Sequence, residues 1–264
     1  MAETRQPTLF IPHGGGPCFF MDDPQGLWTE LEGFLQLLPN SMPEPPKEIL
    51  LVSGHWETDG FAFTASAQPP LIYDYNGFPP HTYALRYDAP GAPALAARAS
   101  ALLKEAGLKA TLDPARGLDH GVFIPLKVAW PDADVPVVEM SVDQSLNPAL
   151  HLAAGRALMP LRDEGVLIIG SGMSFHNMRA YRDPAAMGPS AQFDDWLDEV
   201  VTAPPPARDS ALAEWDSAPM ARFSHPREEH LIPLMVAAGA SEEPGDRIFN
   251  GGVLGTMISG FRFD

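Results

Sequence analysis

The eight histidines are the residues of this sequence best suited to chemistry. Three of them, His13, His55 and His176, follow short apolar runs and have glycines close by in the chain. Imidazole nitrogens are common ligands of zinc, iron and copper, and glycines let the backbone approach a bound ion closely. If the apolar runs are strands of one sheet, the three imidazoles converge where the strands end, and we expect a metal site there.

A fourth histidine is predicted to lie on a helix. Pro226 suits the first position of a helix and acidic residues follow it, so His230 would lie one turn in. His225 is separated from His230 by about 140° around a helix axis, so the two cannot bind one ion as a helical pair. We interpret His225 as a capping residue.

The other histidines give weaker signals. His120 lies in a polar turn ahead of the apolar segment 122–126, where it either bonds to backbone or belongs to the site. His81 lies in a loop rich in tyrosine and proline, and His151 lies in an amphipathic helix. We assign no function to these last two residues.

Segments with strand signals and helix signals alternate along the chain. Short runs of valine, isoleucine and leucine without polar alternation are typical of strands covered on both faces. The predicted strands are Thr8–Pro12, Glu48–Ser53, Val135–Met140 and Gly165–Gly170, with one or two more in Arg247–Phe263 around a turn at Asn250–Gly252. The predicted helices are Asp23–Leu38, Pro93–Ala106, Pro148–Glu164 and Ser190–Val201.

This alternation predicts an α/β fold. We expect a single catalytic domain over residues 1–264, with three α/β/α layers around a central mixed sheet. In open α/β sheets, ligands bind in the crevice outside the carboxyl ends of the strands. The metal site is therefore expected at that edge of the sheet.

The composition excludes several classes of function. Lys and Arg number 17 against 34 Asp and Glu, and the formal charge of −17 is unsuited to binding nucleic-acid backbones or anionic membranes. The single cysteine, Cys18, rules out an intrachain disulfide and a cysteine-based zinc or iron–sulfur site. The N-terminal segment lacks the apolar stretch of a signal peptide and no run approaches a membrane span, so we expect a cytoplasmic protein.

Several familiar catalytic motifs are missing from the sequence. The segment 13–16 (His-Gly-Gly-Gly) is similar to the oxyanion strip of lipases, but no Gly-x-Ser-x-Gly elbow accompanies it. Neither His-Glu-x-x-His nor a glycine-rich nucleotide motif occurs. Cys18 is more simply interpreted as a buried thiol than as a nucleophile. A mononuclear, histidine-rich metal site remains.

Ordered motifs along the chain point to one known family. They are His13–Pro17, Ser53–Glu57, Gly117–Gly121, Gly172–Asn177 and Glu229–Leu234, with Tyr73–Pro80 and Tyr87–Pro93 between them. Together they resemble the DOPA-dioxygenase-type branch of the class III extradiol ring-cleavage dioxygenases. These enzymes share a fold with the catalytic subunit of protocatechuate 4,5-dioxygenase. The resemblance covers essentially the whole chain.

The resemblance implies a set of metal ligands. His13, His55 and His230 would hold the metal, and His176 would be either a fourth ligand or an acid/base beside it. His120 would be an acid/base that faces the substrate or supports the site. Histidine suits such proton transfers because its side chain ordinarily titrates near neutral pH.

One position departs from the protocatechuate enzymes, whose third ligand is a glutamate. His230 stands at that position here, as in the DOPA-type branch, with Glu229 next to it. Two histidines and one carboxylate are the usual arrangement for non-haem Fe(II), so Glu229 or Glu57 is the alternative third ligand.

The resemblance also implies a reaction. A small catechol similar to DOPA, caffeate or protocatechuate would be opened with O2 at a mononuclear non-haem centre, giving a muconic semialdehyde. Fe(II) is expected for activity, and Zn(II) is expected in purified protein because it binds such sites more tightly. The alternatives are a zinc-dependent hydrolase on the same scaffold and a non-catalytic binding protein of the Memo type. The sequence leaves a homodimer open.

The substrate pocket is expected to be built from side chains near these motifs. The expected substrate contacts are Trp56, Phe175 and Asn177, with Tyr73 and Phe78 as further aromatic candidates. A carboxylated catechol would also need a nearby cation in so acidic a protein. The candidate cations are Arg179, Arg222 and Lys127.

Overall fold

A computed structural model describes residues 4–264, which are built around an eight-stranded mixed sheet. The strands are β1 (Thr8–Pro12), β2 (Glu48–Thr58), β3 (Phe61–Thr64), β4 (Ala110–Asp113), β5 (Val137–Asp143), β6 (Val166–Gly172), β7 (Gly245–Val253) and β8 (Thr256–Phe263). Across the sheet their order is β4-β3-β5-β2-β6-β1-β8-β7. The sheet thus contains every strand that the apolar runs predicted.

Helices cover both faces of the sheet. They are α1 (Thr29–Leu37), α2 (Pro93–Glu105), α3 (His120–Ala129), α4 (Pro148–Leu158), α5 (Met187–Val201), α6 (Pro205–Ala213), α7 (Ala221–Ser224) and α8 (Ile232–Gly239). Alternate residues of a strand point to opposite faces, and Phe10 packs in one hydrophobic cluster with α2, α4, α5 and α8. Its neighbours Leu9 and Ile11 pack in a second cluster with α1 and α3. The predicted three-layer α/β fold is confirmed.

The four central strands, β5, β2, β6 and β1, run parallel to one another. Their carboxyl ends therefore meet at one edge of the sheet, and the segments that follow β1, β2 and β6 become neighbours in space. Outside them, β8 pairs antiparallel with β1, and β7 pairs antiparallel with β8. Within residues 4–264, no helix is long and apolar enough to cross a membrane.

Strand β2 is longer than the sequence predicts. It runs on to Thr58, and its pairing with β5 shifts register between Ser53 and Glu57. His55 therefore lies in an irregular stretch of the strand rather than just beyond its end. Such irregularities re-aim side chains and are common beside functional sites.

The prediction that a helix starts at Pro226 is wrong, because α8 starts only at Ile232. Pro233 has no N–H and its ring would clash with the carbonyl of residue 229 in a continuous helix, whereas proline is tolerated in a first turn. His230 instead lies in a turn, and its carbonyl oxygen accepts a hydrogen bond of 3.0 Å from the N–H of Met173, just after β6. The segment before α8 is therefore attached to the carboxyl end of the sheet.

Other predicted boundaries shift for local reasons. The helix predicted from Asp23 begins at Thr29, because the carboxylate of Asp23 accepts the N–H of Trp28 and forms a turn there. The helix predicted to reach Glu164 continues beyond Leu158 as a 3-10 helix, since Pro160 cannot donate to the helical ladder.

The C-terminal hairpin turns at Leu254 and Gly255 rather than at residues 250–252. Both turn residues have positive φ, 50° and 83°, as the tight turns favoured by hairpins require. Leu254 thereby holds a conformation that costs a residue with a side chain some strain.

Gly172 is the position where the attachment of the His230 segment can be tested. A Cβ at Gly172 would lie 2.0 Å from the carbonyl oxygen of His230, so the two backbones could not stay in contact. We expect Gly172→Ala to lower the free energy of unfolding by about 1–3 kcal/mol, as overpacking does, and to weaken metal binding. Chemical denaturation and metal titration measure the two effects.

Gly33, in the middle of α1, provides the matched control. A Cβ there meets nothing within 4 Å, so Gly33→Ala should stabilise the helix by about 0.5–1 kcal/mol and leave metal binding unchanged. Equal behaviour of the two variants would contradict the packing argument.

Candidate metal centre

Three imidazoles converge at the carboxyl edge of the sheet, from His13 after β1, His55 in β2 and His230 before α8. The Nε2 atom of His55 lies 3.3 Å from Nε2 of His13 and 3.2 Å from Nε2 of His230. Ligand atoms of all three residues lie within 4.8 Å of one another, with His13 and His230 buried and His55 half-buried. The structure thus brings together the three histidines that the resemblance named as ligands.

This nitrogen set fits a metal ion better than it fits hydrogen bonds among the imidazoles. A tetrahedral ion with bonds of about 2.0–2.1 Å to imidazole holds its nitrogens about 3.3 Å apart, which is the spacing seen here. Nε2 of His55 carries at most one proton, so it cannot donate to both neighbours at once. A cation can accept electron pairs from all three nitrogens.

The protonation of the three histidines also suits a metal. Burial first, and then the neighbouring histidines, hold the pKa of His13 and of His230 well below the ordinary value. Burial, followed by the charge of His120, lowers the pKa of His55 to about 4. All three imidazoles are therefore neutral at pH 7, and a metal ligand must be neutral imidazole.

Glu229 orients two of the histidines with a single oxygen. Its Oε1 accepts hydrogen bonds from Nδ1 of His230 at 2.9 Å and from Nδ1 of His176 at 3.1 Å. Burial raises the pKa of Glu229, but the bond from His176 and nearby positive charge outweigh it, and the net shift is downward. The ionised carboxylate keeps both Nδ1 atoms protonated, which leaves both Nε2 atoms with a free electron pair.

His176 is stacked on His230, with ring centroids 3.4 Å apart, and it lines the cavity described below. Its ligand atoms group with those of Glu229 and His230, and not with the set of His13, His55 and His230. This placement favours a proton-transfer role over that of a fourth ligand. The loop that carries it is held by a hydrogen bond from its N–H to the carbonyl of Ser224.

A second carboxylate, Asp74, supports the opposite side of the site. Its Oδ1 accepts hydrogen bonds from Nδ1 of His120 at 2.8 Å and from the N–H of His120 at 3.0 Å, while its Oδ2 lies 3.6 Å from Nδ1 of His55. Burial raises the pKa of Asp74, yet the bonds from His120 prevail and the net shift is downward. Asp74 was missed among the site residues, although it lies within the segment Tyr73–Pro80 that supported the resemblance.

The irregular part of β2 rests on a buried polar network. The N–H of His55 donates to Oγ of Ser53, which donates to Asp119 at 2.9 Å. Asp119 in turn accepts from Arg116, and its N–H donates to Glu139. Burial and the charge of Asp119 raise the pKa of Glu139 well above its ordinary value. The network fixes the backbone beneath His55.

A cavity of about 410 Å³ opens over these imidazoles. Its lining is mostly apolar, and it contains no lysine, aspartate or glutamate among the described residues. The aromatic lining residues are Trp28, Tyr75, Phe78 and Tyr181, and the remaining charged side chain apart from the histidines is Arg182. A flat aromatic ring fits this chemistry. Of these residues, the sequence had suggested only Phe78.

The three expected substrate contacts, Trp56, Phe175 and Asn177, are not among the residues that line this cavity. Trp56 is buried under the guanidinium of Arg116, 4.9 Å from its ring centre. Phe175 is buried against Tyr181, and Asn177 bonds through its side chain to backbone. A contact between any of the three and the substrate stays a prediction from the sequence.

Apart from Phe78, the other candidates from the sequence do not line the cavity. Tyr73 donates its hydroxyl to the carbonyl of Leu85, Arg222 pairs with Glu228, and Lys127 lies over the ring of Phe20. Arg179 is exposed and does not line the cavity.

The two carboxylates considered as alternative metal ligands already form other contacts. Glu57 forms a two-bond ion pair with Arg227, at 2.6 and 2.5 Å. Oε1 of Glu229 is taken by two imidazoles, as described above. The three-histidine set is therefore the better supported one.

The remaining histidines have structural contacts. His225 lies at the C-terminal end of α7 and is fully buried, with a hydrogen bond to the carbonyl of Ser174; the helix predicted from Pro226, which it was expected to cap, does not form. His151 accepts the N–H of Asp143 inside the core, and His81 bonds to the carbonyl of Phe20. Cys18 borders the cavity, but burial raises the pKa of its thiol far above the ordinary value, which disfavours a nucleophile.

Comparison with known proteins identifies the family. Residues 7–259 match the family described as the catalytic LigB subunit of aromatic ring-opening dioxygenase. The chain belongs to this LigB family. It is therefore an extradiol aromatic ring-opening dioxygenase, and the resemblance seen in the sequence is confirmed.

Several relatives within the LigB family are similar over nearly the whole chain. "Dioxygenase tasH" of Hapsidospora irregularis is 40% identical over 266 residues, which cover 92% of this chain and 81% of that protein. "4,5-DOPA dioxygenase extradiol" is 39% identical in Beta vulgaris, covering 89% of this chain and 87% of that one. The protein of the same name in Escherichia coli K12 is 37% identical, covering 92% and 89%.

A solved structure supports the fold of this LigB protein. The crystal structure of uncharacterized protein JW3007 from Escherichia coli K12 superposes with a TM-score of 0.79 at 30% sequence identity. The match covers 98% of this chain and 100% of that chain.

Glu229 is the residue whose charge should tune metal affinity. Glu229→Gln removes the negative charge that makes Nε2 of His230 more basic, so metal affinity should fall about 10–100-fold, as is typical when a partner of a histidine ligand is changed. Competition between the protein and a chelator for Zn(II) measures the metal affinity of the variant. Glu228→Gln is the control, because Glu228 pairs with Arg222 away from the imidazoles; equal affinity loss in both variants would refute the assignment.

Proposed function

We propose that this chain cleaves the ring of a small catechol similar to DOPA, caffeate or protocatechuate, using O2 and a mononuclear Fe(II), to give a muconic semialdehyde. The observation that carries the proposal is the set of three converging Nε2 atoms of His13, His55 and His230 at one end of an aromatic-walled cavity. Residues 1–264 act as a single catalytic domain in this proposal. A cytoplasmic location and a homodimer remain predictions from the sequence.

His13, His55 and His230 would hold the metal. When bound, Fe(II) supplies adjacent coordination positions for the two hydroxyls of the diol and for O2, so that both substrates are oriented together. Three neutral ligands leave the positive charge of the ion uncompensated, which favours binding of the diol as an anion. The apolar walls exclude water and strengthen that attraction.

Two histidines flank the ligands and would move the protons. His176 is held by Glu229 through Nδ1, and His120 is held by Asp74 through Nδ1, so each has Nε2 available. One of these nitrogens accepts a proton as the diol binds, and an imidazolium returns a proton later in the reaction. We assign His176 to the first step because it stacks directly on the proposed ligand His230.

The aromatic side chains would position the ring. Tyr75 lies edge-on to Phe78, with ring centroids 5.5 Å apart, and both line the cavity together with Trp28. The hydroxyl of Tyr75 donates to the carbonyl of Thr82, which fixes the orientation of its ring. Catechols are flat, and such a wall selects for flat substrates by shape.

A zinc-dependent hydrolase is the second candidate, because zinc also accepts three histidines and a water. Zinc in the purified protein would not by itself favour this function, since zinc outcompetes Fe(II) for the same ligands. The non-catalytic Memo-type alternative is disfavoured because all the histidines of the site are retained, and carboxylates orient His230, His176 and His120 among them.

Oxygen uptake tests the proposed function. Protein stripped of metal and reloaded anaerobically with Fe(II) should consume O2 with a panel of catechols and form a yellow ring-fission product. His55→Ala, which removes the central nitrogen of the set, should lose bound metal and uptake together. No uptake on any catechol by wild-type protein with iron bound would reject the dioxygenase in favour of the hydrolase or the binding protein.

Replacement of His176 separates proton transfer from metal binding. His176→Ala should lower turnover by about 100-fold or more, as loss of a general acid/base does, while bound iron stays stoichiometric. Turnover normalised to iron content is the measurement. Near-wild-type turnover would remove His176 from proton transfer, and loss of iron would make it a ligand instead.

A further inference from the structure

The cavity over the imidazoles has one guanidinium in its lining, that of Arg182. Arg182 is exposed, and among residues 4–264 its side chain has no hydrogen bond or ion pair. Most other arginines are matched with acids, as in the pairs Arg98–Glu164 and Arg227–Glu57. In a chain with twice as many acidic as basic residues, an unpaired guanidinium beside a ligand cavity is available for an external anion.

The backbone holds Arg182 firmly at the rim. Its N–H donates a hydrogen bond of 2.7 Å to the carbonyl of Leu254, in the turn between β7 and β8. Both residues have positive φ, 67° for Arg182 and 50° for Leu254, a conformation that side chains disfavour. Such strain persists only where the surrounding structure imposes it, and it is concentrated at ligand sites.

Arg182 also lies at a junction between two depressions. It and Leu254 border both the main cavity and an adjoining groove of about 240 Å³. The groove is completed by Gln25, Leu27, Asp183, Pro184 and Gly255. A molecule whose ring lies over the imidazoles can therefore extend a side chain past Arg182 into this groove.

The charges of the site favour an acidic group at that position. The formal charge of −17 repels anions in general, and no aspartate or glutamate of the described residues lines the main cavity to cancel Arg182. The planar guanidinium matches a carboxylate with two parallel hydrogen bonds. The imidazoles line the same cavity, and the proposed function places the diol over them.

We propose that Arg182 is a specificity-determining residue, which binds the carboxylate of a catechol that carries its acid on a side chain. The proposal rests on the proposed function, because that function assigns the imidazoles of the same cavity to the diol. Arg182 takes the role for which the sequence suggested Arg179, Arg222 and Lys127, because none of these three cations lines the cavity.

L-DOPA and dopamine are the probes, since they share the catechol and the amine and differ by the carboxylate. In Fe(II)-loaded protein, Arg182→Met should raise KM for L-DOPA about 10-fold, the scale of one charge-assisted contact, with little change in kcat. Values for dopamine should stay unchanged. Arg179→Met is the matched control, an exposed arginine three residues away with no side-chain partner in residues 4–264, and it should change neither substrate.

A binding measurement keeps this test separate from that of the proposed function. Calorimetric titration of Zn(II)-loaded protein without O2 should show L-DOPA binding weakened about 10-fold by Arg182→Met, and dopamine binding unchanged. If wild-type protein binds L-DOPA but consumes no O2, the proposed function fails while Arg182 is still tested. Three outcomes would overturn the assignment of Arg182. They are an equal loss of affinity for both probes, an unchanged affinity for L-DOPA, and a wild-type protein that does not bind L-DOPA.

Discussion

The structure of this site depends on gathering three neutral imidazoles inside the protein, with Nε2 of His55 3.3 Å from that of His13 and 3.2 Å from that of His230, a spacing that suits a bound metal ion. Burial supplies the neutrality, because a charged imidazole loses its hydration there. The same burial would leave three electron pairs without partners if the nitrogens faced only one another. A bound cation resolves that conflict, and the sheet edge, the bulged strand and the attached turn all place ligands around it.

Carboxylates complete the arrangement from outside the ligand set. Glu229 accepts hydrogen bonds from Nδ1 of His230 and of His176, and Asp74 accepts one from Nδ1 of His120 while lying 3.6 Å from Nδ1 of His55. Proposed ligands and proposed proton carriers are thus held by the same acids. This coupling explains how a loop residue, His176, and a helix-terminal residue, His120, can be oriented toward one substrate.

The charge of the cavity lining differs from the charge of the chain as a whole. Acidic side chains dominate the chain as a whole, whereas within residues 4–264 the lining of the main cavity includes no acidic side chain and one guanidinium. Apolar walls around a cationic centre favour an anionic, flat ligand over a neutral, bulky one. In the proposed function, shape would act on the ring over the imidazoles and charge on the acid group at Arg182.

The sequence by itself determined the α/β class, the central strands and the histidines at their ends, because buried parallel strands require apolar runs and leave their ligand residues at one edge. It also supplied His230, although on a helix that Pro233 and the bond to Met173 do not permit. Only the tertiary structure decided the bulge at His55 and the contacts of Asp74. It alone placed Arg182 at the rim, since these features arise from contacts between segments far apart in the chain, which local patterns do not encode.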